Sequence, residues 1–149
     1  MENLDTSISN NKAQKKIKLD FKDSEYATGR RKTSIAKIWL KKGSGKIYVN
    51  GKDYQEYFKR ANHKMQLLRP FDILNQSTSY DVKCNVKGGG LTGQVGAMVH
   101  GISKALVQMN PESKSVLKKE KLTTRDSRAV ERKKYGRRKA RRSFQCSKR

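Results

Sequence analysis

The chain has 149 residues, with 36 Lys and Arg against 13 Asp and Glu, a formal net charge of +23. Its length suggests one domain, its 34% hydrophobic residues make a modest core at best, and no apolar run approaches the roughly 20 residues that span a bilayer. A secreted, membrane-spanning or disulfide-stapled protein is largely excluded, and a polyanion-binding protein is favoured.

Residues 1–25 hold five acids and five lysines and sum to zero. They are polar and aperiodic and are expected to form a disordered extension. The opening MENLDTSISNN has Glu2 and Asp5 and no hydrophobic stretch, so it reads as neither a secretory signal nor an organellar transit peptide. Residues 26–131 hold 21 basic and 8 acidic side chains, and residues 132–149 hold ten basic side chains and no acid. The charge divides into a basic body and a denser tail, with an expected globular domain over 26–124 and an extended tail over 125–149.

Thr28–Thr33 reads as a basic loop ahead of the first long strand, either merely solvated or suited to gripping a phosphate backbone. Thr33–Leu40 is expected to be a strand from its β-branched and aromatic content. Lys41–Gly45 reads as a turn and Lys46–Val49 as a second strand. Asn50-Gly51 is a strong type I′ hairpin signal. A short helix is expected from about 54 to 60, whereas residues 63–75 are ambiguous because Pro70 should interrupt a continuous helix.

Tyr80–Lys87 alternates cleanly, with Tyr80, Val82, Cys84 and Val86 on one face and Asp81, Lys83, Asn85 and Lys87 on the other. Gly88–Gly90 breaks this strand, and a helix is expected over 93–109. Val95, Met98, Val99, Ile102, Ala105, Leu106 and Met109 form its apolar stripe. Ala97, His100, Gly101 and Lys104 point away from that stripe. They read first as a solvent face, although small residues there would also admit another backbone or a phosphate. Asn110-Pro111 ends this helix, and 112–120 reads as a shorter amphipathic one.

Gly88-x-Gly90-x-x-Gly93 formally satisfies a dinucleotide fingerprint, but no parallel strand with an acid follows at the required distance. No Lys-Ser/Thr follows the glycines either, so what survives is a set of helix-start amides that an RNA phosphate could use. Cys84 is expected to be a buried structural thiol. Cys146 stands alone in the tail, and neither a zinc site nor a disulfide is supported. His63 and His100 have no obvious catalytic partner, and no enzyme chemistry is indicated. The tail has too few apolar residues for a core. Extended, residues 132–149 would reach about 60 Å, and Tyr135 and Phe144 could stack on bases while the cations track phosphates.

Several segments in register resemble the small-subunit ribosomal protein S-nine family, in its bacterial and organellar branch. They are YATGRRKTS (26–34), GGGLTGQVGAMVHGISKAL (88–106), LTTRDSRAVERKKYGRRKARR (122–142) and the closing Ser147-Lys148-Arg149. The resemblance implies an α+β fold like the second domain of ribosomal protein S-five: a four-stranded sheet, helices on one face, a left-handed crossover and a long extended basic tail. It implies binding to ribosomal RNA of the head (the 3′ major domain) by Arg30, Arg31, Lys32, Lys104, Arg125, Arg128, Arg132, Lys133, Lys134, Arg137, Arg138, Lys139, Arg141 and Arg142. It further implies that Ser147, Lys148 and Arg149 meet the anticodon stem-loop of peptidyl-site tRNA, and that head ribosomal proteins are neighbours. No cofactor, metal or membrane is implied.

The family's aromatic before the terminal tripeptide is replaced here by Cys146, and a proline by Phe144, so the path just before the tip departs from the pattern. A nonspecific nucleic-acid-binding protein and a nucleotide-binding RNA-modifying enzyme stand as rival readings. The compartment is left between a bacterial cytoplasm and an organelle such as the mitochondrial matrix. Abundant Asn, Lys and Ile suit an AT-rich organellar genome.

Overall fold

The computed structural model describes residues 23–76 and 79–147. Its sheet is built on alternation. Strands β1 (Glu25–Arg31), β2 (Ser34–Lys42) and β5 (Tyr80–Lys87) pair antiparallel, with Ala27 opposite Ile38 and Ile38 opposite Cys84. Ser34, Ala36, Ile38 and Leu40 of β2 and Tyr80, Val82, Cys84 and Val86 of β5 are all buried on one face. β3 (Ile47–Val49) runs parallel to β5 and turns into the two-residue β4 (Lys52–Asp53), giving the order β1-β2-β5-β3-β4. This is an α+β architecture with five strands rather than the expected four. The extra strand exists because Asn50 and Gly51, at φ 51° and 84°, return the chain in a type I′ turn. The Asn50 side chain accepts from the Val86 N–H at 2.8 Å and donates to its carbonyl at 3.1 Å, which fixes the hairpin to β5.

The first strand corrects the expected loop at 28–33. Consecutive arginines do not forbid a strand, because successive side chains leave opposite faces. Thr28 to Arg31 accordingly pair with β2, from Lys37 to Ser34. The same strand takes in Glu25, the last residue of the expected extension; residues 1–22 lie outside the described residues.

Helices α1 (Tyr54–Tyr57) and α2 (Ala61–Ile73) follow β4. α2 runs through Pro70 instead of breaking there. Pro70 lies in the last turns of the helix and is buried with His63, Leu67 and Phe71, so packing offsets the missing N–H. α3 (Leu91–Met109) lies across β1 and β2, and α2 and α4 (Ser113–Lys119) pack against it. Phe58, Leu67, Phe71, Met98, Ile102, Leu106 and Leu117 fill the space between helices and sheet. Among the described residues, no helix is long and apolar enough to cross a membrane.

α3 is buried on more than its apolar stripe. Ala97 and Gly101, read from the sequence as a solvent face, are buried against β1. A Cβ on Gly29 would strike the Ala97 carbonyl, and one on Gly101 would come within 2.8 Å of Ile38 Cγ1. The small residues admit a neighbouring backbone, that of β1. This contact sets where the basic end of β1 stands.

Candidate nucleic-acid interface

Four cationic elements can be placed from this frame. The first is the β1–β2 turn, where Lys32 adopts φ 52° between Arg31 and Thr33. Beneath it, Ser34 Oγ donates to the Gly88 carbonyl at 3.1 Å. Gly89, at φ 62°, passes so close that a Cβ would collide with that hydroxyl. The Gly88–Gly90 segment is thus fitted around Ser34, and it leads into α3, whose N-cap Gly90 has no side chain to offer.

The second element lies on α3. His100 Nδ1 accepts the Arg30 backbone N–H at 3.3 Å, and one turn on, Lys104 Nζ donates to the Thr28 carbonyl at 3.4 Å. Burial holds the His100 pKa below its ordinary value, with the charges of Lys104 and Arg125 adding; a backbone hydrogen bond with Thr123 acts in the opposite sense. The imidazole is therefore neutral at pH 7, as an acceptor for Arg30 must be.

The third element is the root of the tail. Arg31 Nη2 meets Asp126 Oδ2 at 2.9 Å, and Arg31 Nη1 donates to the Arg128 carbonyl at 3.1 Å. Asp126 also accepts from the Arg128 backbone N–H at 2.9 Å and from Arg128 Nη2 at 2.7 Å. The Arg128 hydrogen bonds, helped by the charge of Arg31, hold the Asp126 carboxyl far below the usual carboxylate range. One carboxylate thus joins residues 97 positions apart in sequence, Arg31 and Arg128.

The fourth element is the tail beyond Glu131. It has no helix or strand up to Ser147 and is almost wholly exposed. It is looped rather than extended: Glu131 holds Lys134 at 2.6 Å and Arg141 at 2.9 Å, Gly136 turns the chain at φ 68°, and the Arg138 N–H donates to the Arg142 carbonyl at 2.8 Å. The single carboxylate among so many cations draws two of them inward, which the expectation of pure self-repulsion left out. Arg138 lies 5.8 Å from the centroid of the Phe144 ring. Tyr135 and Phe144 are exposed.

Of the residues singled out from sequence, the structure sets Arg31, Lys32, Lys104, Arg125 and Arg128 along the β1–α3 contact, while strand alternation sends the Arg30 side chain to the opposite face of the sheet. Arg132, Lys133, Lys134, Arg137, Arg138, Lys139, Arg141 and Arg142 are strung along the tail. Among these candidate cations, only Arg31, Arg128, Lys134 and Arg141 meet a carboxylate within the described residues. Ser147 is exposed, and Lys148 and Arg149 lie outside the described residues. Cys84 is buried, as expected, and Cys146 is exposed. Sequence reasoning missed Asp126 and Glu131, although an isolated acid in a basic run is itself a signal for a local ion-pair node.

A comparison with protein families returns a match over residues 29–149 to the model described as Ribosomal protein S9/S16. The match takes in the basic turn, α3 and the whole tail. The chain belongs to that family, and it is a structural protein of the small ribosomal subunit.

Proposed function

We propose that this cationic surface docks on the ribosomal RNA of the small-subunit head, in the 3′ major domain, of a ribosome of bacterial or organellar type. Arg31, Lys32, Lys104, Arg125 and Arg128 make the base of the contact, and Arg132 to Arg142 track phosphates along the tail. The tail then continues to the peptidyl site, where Ser147, Lys148 and Arg149 meet the anticodon stem-loop of the bound tRNA. The fold that accompanies this reading is the S-five second-domain type, with a left-handed connection from β3 to β5 and head proteins as neighbours.

The observation that carries the proposal is the junction of Arg31 with Asp126 and Arg128, 2.9 and 3.1 Å long. It makes the turn and the tail root one continuous basic surface with a fixed direction of exit. Binding exchanges condensed counterions for direct contacts, so about nine or ten neutralised phosphates give a log–log salt slope of order −7 to −9 on a head RNA fragment. Binding insensitive to salt, or equal affinity for duplex DNA, would overturn the reading.

Asp126→Asn separates direction from charge. Simple charge counting has it bind RNA more tightly, because it removes an acid. The junction has it bind several-fold more weakly, with stability little changed, as for other exposed ion pairs. Removal of Lys148 and Arg149 is expected to weaken peptidyl-site tRNA retention while leaving subunit assembly intact; unchanged tRNA affinity would remove that part of the proposal.

A further inference from the structure

The face of the sheet turned away from the helices carries its own constellation. Strand pairing places Tyr26, Trp39, Lys83 and Tyr48 in one row across β1, β2, β5 and β3. Neighbouring strands lie about 4.8 Å apart, so this row spans about 14 Å. Tyr26 and Trp39 are in ring contact, with centroids 5.4 Å apart and planes inclined by 48°, and Lys83 Nζ lies 5.8 Å from the Trp39 ring centroid. Tyr26 is 44% exposed, and Trp39 and Tyr48 are half-buried.

The next rows of the same face hold Lys37 beside Asn85, then Arg30, Ile35 and Lys87. Two grooves lie among them. One, of about 410 Å³, is lined by Tyr48, Asn50, Lys83, Asn85 and Lys87 among others; its neighbour, of about 190 Å³, is lined by Ile35, Lys37, Asn85 and Lys87. Two acids share this face: Asp81, which accepts from the backbone N–H groups of Ser44 and Lys46 at 2.9 and 2.8 Å, and Asp53, paired with Tyr48 at the β4 edge. Arg30, Lys37, Lys83 and Lys87 outnumber them.

We propose that this open face is a second RNA-binding surface, which takes an unpaired single strand. Two or three bases would stack along the Tyr26–Trp39–Tyr48 row, and Lys37, Lys83, Lys87 and Arg30 would meet their phosphates. A paired helix cannot offer base faces to a flat sheet, whereas unpaired nucleotides can, and stacking on aromatic side chains is tolerant of sequence. Lys83 contacts the Trp39 ring; an incoming base takes over that contact while the ammonium moves to the adjoining phosphate. Charge favours RNA over a protein occupant, since Arg30, Lys37, Lys83 and Lys87 share this face and would require a strongly acidic partner. The inference rests on membership of the ribosomal family for the presence of RNA, and not on the path of the tail.

Trp39 is the sole tryptophan in the chain and reports directly. Titrating the full chain with an unpaired RNA octanucleotide is expected to quench its emission saturably. The double variant Tyr26→Ala/Tyr48→Ala is expected to weaken that binding on the order of tenfold. A second variant, Lys37→Gln/Lys83→Gln/Lys87→Gln, alters exposed positions alone and keeps the test decisive if the first does not fold. It is expected to lower the salt slope by about 2.

Oligonucleotide bound, by anisotropy of a labelled strand, without any change in Trp39 emission would overturn the proposal. So would unaltered affinity in the lysine variant, equal quenching by duplex RNA, or shielding of Trp39 by a head protein instead of RNA. A chain neutralised at Arg137, Arg138, Arg141 and Arg142 separates the two surfaces. It is expected to lose head-RNA affinity yet retain the quench, and loss of the quench in that chain would overturn the second surface while leaving the tail reading intact.

Discussion

The body and the tail both present cations, but they obtain their order from opposite sources. In the body, residues 26–131, the backbone is held by a continuous apolar layer, and the charges are what the alternation of strand and helix leaves outside. Among the described residues of the last 18 no apolar layer exists, and in the sequence ten cations stand there without an acid among them. The arrangement there is set by two carboxylates just upstream. Asp126 ties the tail root to β1, and Glu131 gathers Lys134 and Arg141. Order in the body rests on apolar burial, which salt does not screen. Order in the tail is electrostatic, and in the proposed docking RNA phosphates would compete for the same cations.

Four experiments break or sharpen that contrast. The largest effect belongs to the packing of β1 on α3. Gly29→Val places a side chain in the Ala97 carbonyl, with Gly101 behind it, and is expected to cost more than about 4 kcal/mol. Loss of the cooperative melt by circular dichroism checks it, and a melt within 1 °C of the parent would show the close approach to be unimportant. Thiol labelling measures the contrast at single atoms. Burial pushes the Cys84 thiol up, while Cys146 is exposed. Native protein is expected to show one fast-reacting thiol, with Cys84 slower on the order of 1000-fold or more, because it needs an opening of the core. Two equally fast thiols would place Cys84 within reach of solvent.

Neutralising Arg137, Arg138, Arg141 and Arg142 to Gln probes the tail alone. The salt slope for head RNA is expected to become shallower by about 3, with stability unchanged within about 0.5 kcal/mol. A large drop in melting temperature would show that the tail supports the body. The smallest effect is a pH dependence. The folded His100 pKa lies below its unfolded value, so the unfolded chain takes up the proton first. Stability is therefore expected to fall as pH drops through about 6.5 toward 5, above the carboxylate range. His100→Gln, which retains an acceptor for the Arg30 N–H, is expected to flatten that fall in melting temperature.

The legible parts of this fold were those governed by local chemistry. Period-two alternation marked Tyr80–Lys87 with its bounds, the Asn50-Gly51 pair marked the hairpin, and the spacing of Val95, Met98, Ile102 and Leu106 marked α3. The parts that escaped were decided by partners distant in sequence. β1 was hidden by its arginines because its evidence lies in β2, the strand it pairs with. Pro70 stays within α2 because its burial supplies what the backbone lacks. Ala97 and Gly101 looked solvent-facing because the backbone they admit, at Gly29, comes from another element. For the interface, residue type pointed to the cations but was silent on their gathering. That the turn, Lys104 and the tail root line one contact follows from β1 lying on α3.

The Glu131 and Arg141 side chains meet at 2.9 Å across ten residues of chain, a stretch whose backbone, extended, would span about 33–36 Å. The free tail is therefore stored with slack. In the proposed docking, exchange of that one carboxylate for an RNA phosphate would open the loop and lengthen the reach of everything beyond it. The distance at which the chain first touches a partner and the distance at which it finally rests would then differ, with Glu131 setting the interval.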